Sequence, residues 1–483
     1  MTDTLATDLR RTRLSLHLLA PDDVERVYAA ALERLAGVGV VPLGDEARAA
    51  LLAAGATPAQ AVTGAGPGEA PAALALRAEL AEAAAAQSPK RIVLAGRDAD
   101  GDVVLEPGAA LLAAGGRPAP LVEPLEGGAE GDARADDLAA ACRLADALPD
   151  VTVISGPPLA TGGGGETRAA IAVALRAARK HLRLTGPLSA EAAATATDIA
   201  AALRDDGLRR RPPLSLLGDA GSFAAAAVFA RAGLPVGVRI AAAGDWAPGD
   251  EATTPAAVTE AVVACVADVL AANAAVQALA PGAAFVAPVW PASAGIPATG
   301  PDAATFVAAA TQVLTRAGFP VAAHIFATSA PGLDWRACTD GAFAALAAGA
   351  AGAALLTGAG TLRGGAVFSP RQLVADAEIH SWCTAVAAGI PVDDETIAVD
   401  AIKDVGIGGN FLGEKHTRRH MKDVWRPRLL DRSLWDAWVA GGRQGAADKA
   451  AELAGALLAQ HEVAPLDDER AAILERIIAA AGL

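Results

Sequence analysis

At 483 residues the chain is long enough for two or three average domains, or for one barrel with extensions. Its formal net charge of −15 disfavours nucleic acid as the partner of the whole surface, and Cys142, Cys265, Cys338 and Cys383 form no CxxC motif, so neither a disulfide framework nor a cysteine-rich metal centre is expected. Hydrophobic residues make up 53 %, but the uncharged stretch 269–301 is broken by Pro281, Pro288, Pro291 and Pro297 and the stretch 341–362 is mostly Ala and Gly, so a buried α/β core accounts for both better than a membrane span.

The start, MTDTLATDLRRTRLSL, has no sustained apolar run of the signal-peptide kind, and a cytoplasmic protein is expected. Residues 1–105 read as a helical and irregular lead-in. Helices are expected from Pro21 to about Leu35, over 45–54 and over 72–86, with a Gly- and Pro-containing loop at 56–71. A hairpin follows in IVLAGRDADGDVVLEP, turning at Asp100-Gly101.

From there short apolar runs alternate with alanine-rich amphipathic segments. Strands are expected at 110–114, 151–155, 182–185, 214–217, 236–241, 284–289, 321–326 and 353–356. Helices are expected at 136–148, 166–180, 190–203, 222–232, 255–279, 303–317, 338–348 and 370–387. Continuous apolar strands separated by helices belong to a parallel sheet buried on both faces. Eight such units over 106–389 fit an α/β, TIM-type (β/α)8 barrel, with a doubly wound open sheet as the alternative if the first strand is absent. Residues 390–483 then form a C-terminal helical extension, with helices expected at 414–425, 434–462 and 467–481.

In such a barrel the functional residues sit where the strands end. Those ends carry Gly115-Gly116, Gly156, Gly186, Asp219, Asp245-Trp246, Trp290, Asp334-Trp335 and Thr357-Gly358. Trp246 and Trp290 read equally as a binding surface and as packing at the barrel rim. Asp219 and Asp334 precede helices, where an aspartate commonly caps the backbone. His324 lies within an apolar strand and reads either as a site residue or as a hydrogen-bonded core histidine. The glycine clusters TGGGGE and GAGTLRGG lack the Lys-Ser/Thr pair and the strand-to-helix setting of nucleotide loops.

The segment 406–432, GIGGNFLGEKHTRRHMKDVWRPRLLDR, differs from the rest of the chain: a GxGG turn, then seven Lys or Arg with His416 and His420 four residues apart. HTRRH lacks the glutamate of HExxH and places two arginines between the histidines, so no metal is expected there. His416, Arg418, Arg419 and His420 are candidates for docking a partner, beside the plainer reading in which the arginines pair within the chain. Together with FSPRQLVADAEI and GIPVDDETIAVDAI, this segment resembles the trimethylamine methyltransferase family of corrinoid-protein-dependent enzymes.

That resemblance implies methyl transfer from a methylated amine to the Co(I) of a separate corrinoid protein, so the corrinoid is expected on a partner and not on this chain. Family members acting on trimethylamine carry pyrrolysine, whereas this sequence has none, so a glycine betaine-like quaternary amine is the expected substrate. Trp246, Trp290, Asp245, Asp219, His324, Asp334 and Trp335 are then the candidate substrate-binding residues, since aromatic faces attract an ammonium that cannot donate hydrogen bonds. The catalytic residues are not readable. Self-association through the C-terminal helices is compatible with the sequence. The alternative class is a barrel-fold binding or regulatory protein, or a hydrolase or lyase without corrinoid chemistry; a neighbouring gene for a corrinoid-binding protein would separate the two.

Overall fold

A continuous apolar run of four to six residues has both faces to bury, and here each is buried inside one parallel sheet between helices. The computed structural model describes residues 14–41, 44–59, 73–116, 118–156, 164–203, 207–240 and 254–480. The strands are β1 (Leu111–Ala114), β2 (Val151–Ser155), β3 (His181–Thr185), β4 (Leu214–Asp219), β5 (Val236–Arg239), β6 (Ala287–Val289), β7 (Val321–His324) and β8 (Leu355–Ala359). Each is followed by a helix: α1 (Ala135–Ala147), α2 (Gly164–Ala177), α3 (Ala190–Ala202), α4 (Phe223–Ala232), α5 (Pro255–Leu279), α6 (Pro301–Arg316), α7 (Trp335–Ala350) and α8 (Pro370–Ala387).

The order β5-β4-β3-β2-β1-β8-β7-β6 is all parallel. Its two edges meet, because the Val236 N–H donates to Ala284 O at 2.9 Å and the Val286 N–H donates to Val236 O at 2.8 Å. The fold is therefore a nearly closed TIM-type barrel. Strand β1 pairs with β2 on one side and β8 on the other, which removes the open-sheet alternative.

Alternation along the strands sets what faces inward. On β3, Leu182 and Leu184 pack outward against the helices, while His181 and Arg183 point into the barrel. Below them the hairpin Ile92–Leu94/Val103–Leu105 closes the N-terminal end, with Ile92, Leu94 and Leu105 packed on Ala113, Val153, Val286, Ala322 and Leu355. The 25-residue α5 is the only described helix long and apolar enough to cross a membrane, yet about two thirds of that apolar window (67 %) is buried, under helices Pro21–Gly37, Asp45–Ala53 and Ala78–Gln87.

Two expectations for the C-terminal extension are corrected. The helix expected over 414–425 spans only Lys415–His420, because the chain turns where the Asp423 N–H returns to His420 O. The helix expected over 434–462 is two, Trp435–Ala440 and Ala446–Gln460, broken at Gly441-Gly442 where Gly442 takes a φ of 88°. The last helix is Asp468–Ala480.

One buried carboxyl makes the fold pH-sensitive. Asp376 on α8 accepts hydrogen bonds from the Gly360 N–H and Gln372 Nε2, both at 2.8 Å, and burial pushes its pKa up to about 8. A folded-state pKa above the unfolded value gives full stability below pH 3.8, lost progressively as the pH rises towards 8. Asp376→Asn removes that loss, and with the Gln372 amide turned over its Nδ2 can donate to Gln372 Oε1, which has no partner among the described residues. The variant should be more stable than the wild type by about 2–4 kcal/mol at pH 8 and by much less at pH 4.5, as read from denaturation midpoints. Equal midpoints at both pH values would show that the carboxyl is not held neutral.

Candidate functional site

Strand register brings four residues together at the C-terminal mouth. His324 and Thr357 are partners across β7 and β8, and His324 Nδ1 lies 3.0 Å from Thr357 Oγ1. Trp290, immediately after β6, lays its ring on that imidazole, with centroids 3.6 Å apart and planes 36° apart. Arg239, the last residue of β5, places its guanidinium carbon 4.4 Å from the Trp290 ring centroid. All four sit on inward-facing positions, and Trp290 is only 8 % exposed. The hydrogen bond to Thr357 fixes the imidazole, and the imidazole and guanidinium fix the indole.

The neighbouring part of the mouth is built from backbone. The chain after β1 folds over the strand ends, so that a Cβ on Gly116 would overlap Cε1 of His324, with Nδ1 at 3.2 Å. At Gly156, which has a φ of 61°, a Cβ would meet Thr185 Oγ1 at 2.5 Å and Gly116 O at 2.8 Å. The Thr185 hydroxyl donates to Gly116 O and ties the loop down. Those glycines are strand-end residues because side chains there would collide with a crossing chain.

The remaining candidates are dispersed. Asp219 opens a single 3-10 turn and accepts from the Ser222 hydroxyl at 2.9 Å. Asp334 is the N-cap of α7, accepting the Ala337 N–H at 2.9 Å. Trp335, next to it, is 84 % exposed at the rim. Asp245 and Trp246 lie outside the described residues, as do the first three residues of TGGGGE.

Two further groups join the mouth without a signal in the sequence. Behind Trp290 and Arg239, a recess of about 50 Å³ between β5, β6 and α5 is lined by Cys265 and Asp268, and burial pushes the Asp268 pKa up to about 7. Asp268 sits in the middle of an alanine-rich helix, far from any strand end, where periodicity marks only a helix face.

The basic segment is largely engaged within the chain. Arg419 pairs with Glu395, His416 Nε2 lies 2.9 Å from Glu395 O, and His420 Nδ1 lies 2.8 Å from Asp423 Oδ2. Arg428 reaches Asp150 at 2.6 Å and Glu378 at 3.2 Å, and Trp425 stacks on Trp382 at 5.9 Å. Among the described residues no group of three His, Cys, Asp or Glu side chains is placed to hold a metal ion.

Residues 211–481 match the family described as trimethylamine methyltransferase (MTTB), a span from just before β4 through the extension. Individual relatives match over shorter stretches. A trimethylamine methyltransferase MttB of Desulfitobacterium hafniense (strain DSM 10664 / DCB-2) is 40 % identical over 128 residues, 26 % of each chain. One from Methanosarcina barkeri is 44 % identical over 117 residues, 24 % of each. A glycine betaine methyltransferase of Desulfitobacterium hafniense (strain Y51) is 30 % identical over 141 residues, 29 % of each. The chain thus matches only about a quarter of the length of these relatives.

Proposed function

The chain belongs to the trimethylamine methyltransferase family, and from that membership we propose that it moves a methyl group from a methylated amine to the cobalt of a corrinoid carried by a separate protein. The observation that carries the reading is the buried tryptophan at the mouth. Trp290 already holds one delocalised cation, Arg239, against its ring, so the mouth carries an aromatic surface of the kind that attracts a diffuse positive charge. A quaternary ammonium is the ligand such a surface suits. Absence of pyrrolysine, together with the likeness to a glycine betaine methyltransferase, supports a betaine-like amine over trimethylamine.

When the partner docks, its corrinoid supplies a strongly nucleophilic Co(I). The chain's own work is to hold the N-methyl group in line and keep water from it. No proton need be moved, because a quaternary amine leaves as a neutral tertiary amine. His324, fixed by Thr357 and Trp290, is then a positioning residue that holds the indole. The rim fits an arriving partner in one respect: Trp335 stands 84 % exposed at the mouth end of α7.

The test is a transfer assay with the purified chain, a reduced corrinoid protein, and trimethylamine, glycine betaine, carnitine and proline betaine, followed by the absorbance of methyl-Co(III). Methylation by one quaternary amine is expected. With a competent corrinoid protein, none by any of the four would sink the reading. Trp290→Ala should weaken binding of the active amine by about 1–2 kcal/mol in calorimetry, while the fold survives.

A further inference from the structure

Inside the barrel, one layer below the mouth, Ser155, Arg183 and Ser215 are register partners across β2, β3 and β4 and face the same way. Ser215 is engaged by His181, whose Nε2 lies 2.8 Å from its Oγ and whose Nδ1 lies 3.2 Å from Ala95 O. Arg183 and Ser155 are not so engaged. Arg183 is 4 % exposed and makes no side-chain hydrogen bond or ion pair among the described residues, and Arg183 Nη1 and Ser155 Oγ are both buried without a partner.

Asp146 and the part-buried Arg211 show the usual arrangement, in which an ion withdrawn from water meets a partner. Asp146 takes the Arg179 N–H at 2.8 Å and His461 Nε2 at 2.9 Å, and Arg211 meets Asp102 at 2.6 Å. Burial without a counter-charge disfavours the charged guanidinium and pushes its pKa down to about 10 here, and a filler of the same volume such as Met would avoid that cost. Inward positions on neighbouring strands include the small residues Ala113, Gly237 and Ala322. The guanidinium therefore stands in the barrel with orphan donors beside an orphan hydroxyl.

We propose that Arg183, with the Ser155 hydroxyl beside it, is an anion subsite that takes the carboxylate of the small molecule bound at the mouth. Where the ligand is the methylated amine of the preceding section, its class is then a carboxylate-bearing quaternary amine, and that identification rests on the methyltransferase reading. Arg183 recognises the carboxylate end of that molecule. The guanidinium fork suits two carboxylate oxygens, and the counter-charge removes the penalty of burial.

The experiment is calorimetry and thermal melting of the full chain at constant ionic strength with sodium acetate, sodium chloride, glycine betaine and choline, which keeps the trimethylammonium head but has no carboxylate. The variants are Arg183→Met and Ser155→Ala. Wild type should bind acetate and betaine, and acetate should raise its melting temperature where chloride does not. Arg183→Met should lose the acetate effect, weaken betaine at least tenfold, leave choline unchanged, and melt no lower than wild type in acetate-free buffer. Ser155→Ala should weaken acetate and betaine severalfold and carries the test if the Met variant does not fold.

Acetate that fails to protect the wild type, chloride that protects equally, or variants that bind acetate as the wild type does would each overturn the subsite. Acetate binding through Arg183 with no binding of either amine would uphold the subsite and overturn the amine reading. Choline binding without any acetate effect would do the reverse.

Discussion

Gly116→Ala should lower amine affinity tenfold or more and destabilise the chain by about 1–3 kcal/mol, the cost of forcing extra volume into a packed site. The added Cβ would overlap Cε1 of His324, and that ring has nowhere to go: Thr357 Oγ1 lies 3.0 Å from its Nδ1 and the Trp290 indole covers its face at 3.6 Å. Relief requires either the imidazole to leave Thr357 or the loop after β1 to lift from Thr185, to which Gly116 O is tied. Both displace Trp290 or open the mouth to water. Gly116 has no positive φ, so the effect is steric and not one of backbone strain. Gly332→Ala is the matching control, since its Cβ would meet nothing within 4 Å and should be neutral. Melting curves and calorimetry on the two variants separate the cases; an unaltered Gly116→Ala would show that the crossing chain does not set the geometry of the mouth.

The fold is legible because most barrel strands are short, largely apolar runs, and Val151–Ser155, Pro255–Leu279 and Pro370–Ala387 fall on the residues expected. It failed where helical propensity was read without its interruptions. The GG at 441–442 breaks a helix whose flanks are both helical, and His420 ends another through its own bond to Asp423. For the site, strand ends showed where side chains converge, which brought out Trp290 and His324, but not which of them touch. Trp335 and Asp334 lie at the same barrel end, yet one faces solvent and the other its own helix N-terminus. Arg183 went unseen because HLRLT reads as an apolar strand with one charge, and only the register shows that the charge points inward beside Ser155. A missing partner is a three-dimensional fact, and no spacing along the chain records it.

Glu378→Ala should be the most damaging single change outside the barrel interior, at about 3–5 kcal/mol. Glu378 lies on α8 with its side chain only 6 % exposed. One carboxylate oxygen takes the Arg428 N–H at 2.8 Å and the Leu429 N–H at 3.2 Å, and the other takes Arg428 Nε at 3.2 Å. Alanine would strip three donors at once and leave the buried Leu429 N–H without an acceptor, while Arg428 keeps only Asp150. The segment then retains the Trp425 hydrogen bond to Ser381 at 3.1 Å and the Trp382–Trp425 stack, both of which are partly exposed. Because Arg428 is the point where the basic segment meets α8 and the loop before β2, its release should free the extension before the barrel unfolds. Limited proteolysis should therefore cut after residue 388 faster in Glu378→Ala than in the wild type, with a lower denaturation midpoint. Glu378→Gln, which keeps one acceptor for the two N–H groups, should lose less than half as much. If the alanine variant resists protease and denaturant as the wild type does, the extension is held by its apolar contacts and not by this carboxylate.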